Sequence, residues 1–248
     1  MKCVFFGLYF LFCASFCSCT KLPSSFLKCD KNQTNFQKCL IKAVTNALAQ
    51  LNKPFKEVGL PNMEPLEVPS LTIGAGSGAV SFQQNYKNLK MSGFTQTTCP
   101  KFDVIFPESK ISMSCASPAI TMDFDYDING RILLLPIFGD GPGSIILDHI
   151  GVDIIFHFEE YEKKNKKYYK IKSTELSMTP NLIKFDLKNL FHGDKALGDN
   201  ILKVMNENWE EVFRDVKSGY EKAFAQIFTS IFNRLLERIS VNELFGGE

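Results

Sequence analysis

An elongated α+β architecture, in which one long helix is wrapped by a highly curved antiparallel β-sheet around a lengthwise hydrophobic tunnel, follows from three features of the sequence. From about Asp199 to Ser240, Leu202, Met205, Trp209, Val212, Val216, Tyr220, Phe224, Phe228, Ile231, Leu235 and Ile239 recur at steps of three and four, the signature of one helix face. Charges cover the other side of its first half, but none occurs from Ala223 to Asn233, so that part is buried on more than one side. Second, Val80 to about Leu187 reads as successive strands in meander order, not as βαβ units. Third, an unbroken helix of this length would reach about 60 Å, against roughly 45 Å for a compact globule of this chain. The molecule is therefore elongated unless Asn206 or Gly219 breaks the helix, and a sheet with one greasy face can bury such a helix only by curving round it.

At the start of the chain, Lys2, an apolar run from Val4 to Cys13 and small residues up to Cys19 read as a secretory signal peptide over residues 1–19, cleaved after Cys17 or Cys19. Residues 20–248 contain no linker-like tract and are expected to form one domain. The net charge of +1 gives no electrostatic reason to expect a nucleic acid or an anionic membrane as partner. Four cysteines survive processing, Cys29, Cys39, Cys99 and Cys115; three pairings are possible, and the local one, Cys29 with Cys39 and Cys99 with Cys115, is preferred. Metal ligation would need a tight Cys-x-x-Cys or neighbouring histidines, and His149, His157 and His192 are scattered, so neither metal nor cofactor is expected. The 23 phenylalanines against one tryptophan suit either a Phe-rich core or a cavity walled by flat apolar side chains.

Asn35 to Leu51 reads as a helix with Phe36, Leu40, Val44, Ala47, Leu48 and Leu51 on one face, and Asn32-Gln33-Thr34 before it is a glycosylation sequon at Asn32. Asn52 to Pro69, with four prolines, should run extended. Gly74-Ala75-Gly76-Ser77-Gly78-Ala79 matches a dinucleotide-binding fingerprint, but strand rather than helix follows and no acidic residue stands some 20 positions on, so a turn between strands is the reading adopted. Ile120, Met122, Phe124, Tyr126 and Ile128 alternate with Thr121, Asp123, Asp125 and Asp127, giving a strand with a greasy face and an acidic one. Hairpin turns are expected at Asn129-Gly130, at Gly139 to Gly143, and in the lysine cluster 163–167, which Glu159, Glu160 and Glu162 mark as a solvated tip.

An ordered series of short motifs along the chain resembles the takeout and juvenile-hormone-binding protein family of insects. It comprises Cys29 and Cys39 with Phe36; Gly59-Leu60-Pro61, Glu64-Pro65-Leu66 and Val68-Pro69; Gly76-Ser77-Gly78; Tyr126 and Gly130 ahead of Leu135-Pro136-Ile137-Phe138-Gly139-Asp140-Gly141; Asn189-Leu190-Phe191 with Gly193; and Met205-Asn206-Glu207-Asn208-Trp209. The resemblance implies a lipid-binding super-roll like half of a bactericidal/permeability-increasing-type fold, with a hydrophobic tunnel. It implies a secreted, extracellular, non-enzymatic carrier in haemolymph or another fluid, and it makes the first cysteine pair the family's usual disulfide.

A monomeric carrier of a small apolar ligand, a terpenoid, fatty acid or similar, is the function expected. Some fifteen carbons at about 0.8 kcal/mol per methylene would contribute roughly 12 kcal/mol before ordering costs. Candidate lining residues are Met122, Phe124, Tyr126, Ile128, Leu133, Leu135, Ile154, Phe156, Phe224, Phe228 and Ile231, each of which would serve equally as core. Tyr126 is the polar exception, able to bond an ester or epoxide oxygen if its hydroxyl reaches the cavity. An esterase is disfavoured because no Gly-x-Ser-x-Gly elbow occurs and His157 has no evident nucleophile partner. The remaining alternative is a membrane-engaging lipid-transfer protein without stable insertion, against which the near-neutral charge counts; a receptor for the loaded carrier is left open.

Overall fold

The computed structural model describes residues 20–246; the segment read as a signal peptide, 1–19, lies outside the described residues. Helix α1 (Phe36–Gln50) is followed by strands β1 (Leu66–Ile73), β2 (Gln84–Ser92), β3 (Thr98–Ile105), β4 (Lys110–Ile132), β5 (Leu135–Lys163) and β6 (Lys166–Leu187), then by helices α2 (Lys195–Glu207), α3 (Trp209–Leu236) and α4 (Val241–Phe245). One antiparallel sheet runs β1-β2-β4-β5-β6, with β3 also paired to β4. β4 is long enough to serve both partners: Lys110–Ala116 faces β3, and Thr121–Asp127 faces β2. The outermost strands β1 and β6 both contact α3, so the sheet curls until its two margins reach the same helix.

Alternation fixes which face turns inward. Met122, Phe124, Tyr126 and Ile128 are buried while Asp123, Asp125 and Asp127 are exposed. Lys90 stands opposite Asp123 and Lys87 opposite Asp125 on β2, so the acidic row belongs to a solvated, charge-matched surface. Pro69, at the end of the proline-rich tract expected to run extended, lies within β1. It is accommodated because β1 is an edge strand and the register steps over Pro69.

The long apolar stretch forms two helices, not one. The break is at Asn208, whose backbone (φ −116°, ψ 29°) leaves the helical region, and its side-chain amide donates back to the Val204 carbonyl. Asn206 remains helical because its amide is engaged with strand β6, donating to the Phe185 carbonyl and accepting from the Phe185 N–H. Gly219 also stays helical; a Cβ there would come within 2.9 Å of Ile73 on β1, so the glycine admits the strand instead of breaking the helix. α3 alone, with 28 residues, is about 42 Å long.

Among the described residues no strand neighbours the outer edge of β6, and helix side chains take its place. Asn233 bonds both backbone groups of Ile171, the Thr229 hydroxyl meets that of Thr174, Glu221 accepts from the Met178 N–H, and Asn206 bonds both groups of Phe185. From Ile171 to Phe185 the strand advances about 46 Å, and from Asn233 back to Asn206 the helices cover about 40 Å, so the two run alongside in opposite directions.

Two expected turns are corrected. Asn129 and Gly130 pair with Phe138 and Ile137 inside the β4–β5 ladder, and the chain reverses at Leu133-Leu134, both with positive φ. Gly130 is needed for closeness rather than for turning, since a Cβ there would approach Phe82 Cβ to 2.7 Å. Gly139 to Gly143 are likewise strand, approached at short range by the end of β6 and the segment after it: a Cβ on Gly139 would meet the Asn189 carbonyl oxygen at 2.8 Å, and one on Gly143 would meet Leu187, its partner on β6, at 2.7 Å. The third hairpin turns at Lys164-Asn165, inside the expected lysine cluster.

The glycine-rich loop after β1 is a turn, as expected, and it clasps a carboxylate. Asp215 of α3 accepts hydrogen bonds from the backbone N–H groups of Ser77, Gly78 and Val80 at 3.0, 3.0 and 2.8 Å. Partial burial pushes the Asp215 carboxyl up, but those bonds outweigh it and hold the group below its ordinary value of 3.8. Replacing Asp215 by Ala is expected to lower the unfolding free energy by about 1 kcal/mol at neutral pH. The difference between wild type and variant should be complete above pH 3.8 and vanish as pH falls through the depressed folded-state value, which urea unfolding at stepped pH will read.

Candidate ligand-binding site

Apolar chambers lie in file between the concave face of the sheet and the helices. The first, of about 130 Å³, is walled by Val44, Leu48 and Leu51 of α1, Leu60, Met63 and Phe94 of the connecting loops, Met113 and Ile120 of β4, Val152 and Ile154 of β5, and Phe228, Ile231 and Phe232 of α3. The Cys99–Cys115 bridge forms another part of the wall, one of two disulfides among the described residues; the other, Cys29–Cys39, ties the entry of α1. Both local cysteine pairings are therefore present. The polar side chains of this wall, Thr97 and Ser117, bond each other at 2.6 Å, and the rest of the wall is apolar or disulfide. A dry cavity of this size takes a benzene-sized molecule, so a longer ligand must extend beyond it.

Further along, a middle chamber of about 20 Å³ is enclosed by Gln84, Met122, Ile145, Leu147, Met178, Ile183, Phe185, Val212, Phe213, Val216 and Tyr220. A far chamber of about 30 Å³ shares Gln84, Ile145, Phe185 and Val212 with it and adds Val80, Phe82, Tyr86, Tyr126, Ile128, Ile132, Leu187 and Met205. Phe224, 3% exposed, occupies the helix position between the first and middle chambers. The expected lengthwise cavity is thus divided in this structure. Met122, Met178 and Met205 in the walls are side chains whose flexible thioethers repack easily around a guest.

Of the sequence candidates, Ile154, Phe228 and Ile231 line the first chamber, Met122 the middle one, and Tyr126 and Ile128 the far one. Phe156, Phe224 and Phe124 are packed core: Phe156 lies 4.8 Å from the Phe232 ring, and Phe124 4.3 Å from that of Tyr86. Leu133 and Leu135 are displaced by the shifted hairpin turn; Leu133 is in the turn, half-buried, and Leu135 is 44% exposed beside it. Tyr126 reaches the far chamber with its ring, but its hydroxyl donates to the Lys188 carbonyl. Burial, helped by the Asp140 charge, pushes that hydroxyl's pKa up to about 12.

Sequence reasoning missed the contribution of α1 and of Gln84. The α1 signal was its apolar face, and that of Gln84 was its place in the inward alternation Phe82, Gln84, Tyr86. The Gln84 amide oxygen lies 2.7 Å from the Tyr86 hydroxyl and 2.8 Å from that of Tyr220, and the two hydroxyls are 2.6 Å apart. Elsewhere, His157 points away from the core and bonds Glu175 at 3.1 Å, and among the described residues no group of His, Cys, Asp and Glu is arranged to hold a metal ion. Asn32 of the sequon is exposed.

Because the Tyr126 hydroxyl is spent on the backbone, Tyr126→Phe is expected to cost about 1 kcal/mol of stability in urea unfolding while leaving the preference between an ester and a hydrocarbon of equal size unchanged in a binding competition.

Comparison with known proteins adds three likenesses. Residues 7–246 match the sequence model of the family described as haemolymph juvenile hormone binding protein (JHBP). The circadian clock-controlled protein daywake is 25% identical over 222 residues in Drosophila melanogaster and 24% in Drosophila yakuba, in each case covering 86% of this chain and 85% of the relative. The crystal structure of Takeout 1 from Epiphyas postvittana superposes with a TM-score of 0.79 at 22% identity, over 89% of this chain and all of that one, a likeness of fold.

Proposed function

Since the chain belongs to the haemolymph juvenile hormone binding protein family, a family that binds hydrophobic ligands, we propose that it is a secreted carrier of a terpenoid such as a juvenile hormone, or of a fatty-acid-like chain, held in the chambers between sheet and helices. The observation that carries this reading is the first chamber: an apolar space between sheet and helices whose two polar wall residues bond each other, suited to a molecule recognised by shape and hydrophobicity. Two disulfides and an exposed sequon at Asn32 support passage through an oxidising secretory compartment. Native mass spectrometry of the secreted protein, with extraction and identification of what it carries, tests the reading. Ile231→Trp should fill the first chamber and abolish uptake of a fluorescent apolar probe that the wild type takes up; a folded variant that still loads normally would place the ligand elsewhere.

One observation favours engagement of a lipid surface as a second reading. The β4–β5 hairpin tip presents Leu134, 83% exposed, beside Leu135, and among the described residues no helix is long and apolar enough to cross a membrane. If the tip dips into a bilayer, the protein should sediment with phosphatidylcholine vesicles and Leu134→Asp should stay in the supernatant. Wild-type protein left in the supernatant would remove this reading.

A further inference from the structure

Among the described residues, Gln84 is 8% exposed and its side-chain nitrogen is buried without a hydrogen-bond partner. Leaving such a donor unmade in a core costs about 1–3 kcal/mol, so its position calls for an explanation. The amide oxygen is held by the hydroxyl pair of Tyr86 and Tyr220, on β2 and α3, which fixes where the nitrogen of the same planar group can be. Three oxygens share this triangle and the two tyrosine hydroxyl hydrogens serve it, so none of its three contacts uses an amide N–H of Gln84. Gln84 is also common to the walls of the middle and far chambers, whose other shared members, Ile145, Phe185 and Val212, are apolar.

We propose that the side-chain nitrogen of Gln84 is the polar anchor of a second ligand subsite, at the junction of the middle and far chambers, which takes the neutral carbonyl oxygen of a ketone or ester on an otherwise apolar molecule. The proposal rests on the carrier reading and adds to it the group that is recognised. A carboxylate is disfavoured at this place: no cationic side chain lines either chamber, and a buried charge needs a partner. Burial also raises the pKa of both Tyr86 and Tyr220, which keeps the triangle neutral. The first chamber would hold hydrocarbon, and the anchor would fix its direction by binding the oxygen at the other end. The small present volume of the middle and far chambers means that the methionines around them must shift on loading.

The test compares methyl undecyl ketone, the corresponding secondary alcohol and tridecane as competitors of a fluorescent apolar probe, on the wild type and on Gln84→Leu. The ratio of ketone to tridecane affinity is expected to fall on the order of tenfold in Gln84→Leu, with tridecane binding retained. An unchanged ratio would overturn the anchor while leaving the carrier reading intact; wild-type protein that binds neither compound would overturn both. A wild-type preference for the alcohol, accompanied by a ketone no tighter than tridecane, would mean that the amide presents its oxygen, and would overturn the donor assignment. Should Gln84→Leu fail to fold, infrared spectroscopy of carbonyl-labelled ketone on the wild type decides: a stretch lowered from its value in alkane solvent supports the bond to Gln84, and an unshifted one refutes it.

Discussion

Everything in this molecule depends on how the free edge of β6 is closed. A sheet curled round a guest needs its two margins sealed, and an unpaired margin is both unsatisfied and prone to pair with other chains. Here the seal is made by side chains of the helices that fill the sheet: Asn233, Thr229, Glu221 and Asn206 take the place of a further strand along β6, while Asp215 holds the loop after β1 at the other margin. The helices are therefore filler and lid at once. Their apolar residues line the chambers, and their polar residues tie down the rim.

That double duty explains where the helices deviate from regularity. Asn206 must reach the backbone of Phe185 in both directions, and the break follows two residues later at Asn208, so that α2 and α3 each follow the strand beside them. Gly219 lets α3 lie close against Ile73 at the opposite margin. The chambers are what remains after this fit, and their division reflects large side chains such as Phe224 set at intervals along the helix.

The fold was legible in the sequence where one face is buried over a long run. Met122 to Ile128 and the apolar steps from Leu202 to Ile239 repeat with periods that only one arrangement satisfies. Turns were less legible, because Asn129-Gly130 and Gly139 to Gly143 carry strong local signals whose glycines serve distant partners, Phe82 in one case and the segment around Asn189 in the other. The candidate site was legible as a set of inward positions and not as a cavity: periodicity says which way Phe156 and Phe228 point, but not that the first is packed solid and the second borders a space. Gln84 escaped notice because a polar residue at an inward position becomes informative only when its neighbours, Tyr86 from the same strand and Tyr220 from a helix more than a hundred residues away, are seen to leave its nitrogen alone.

The helices that fill and seal the sheet follow all of its strands in the chain. At 5–20 residues per second, synthesis of residues 195–236 occupies roughly two to eight seconds after β6 is complete. Throughout that interval the concave face from Met122 to Ile128 lacks α2 and α3, and the β6 edge has none of its four helix partners. A nascent chain in this state exposes the greasy surface and open strand that lead to misassembly. The order of the elements thus leaves the sheet of a growing chain open until the helices that follow it have been made.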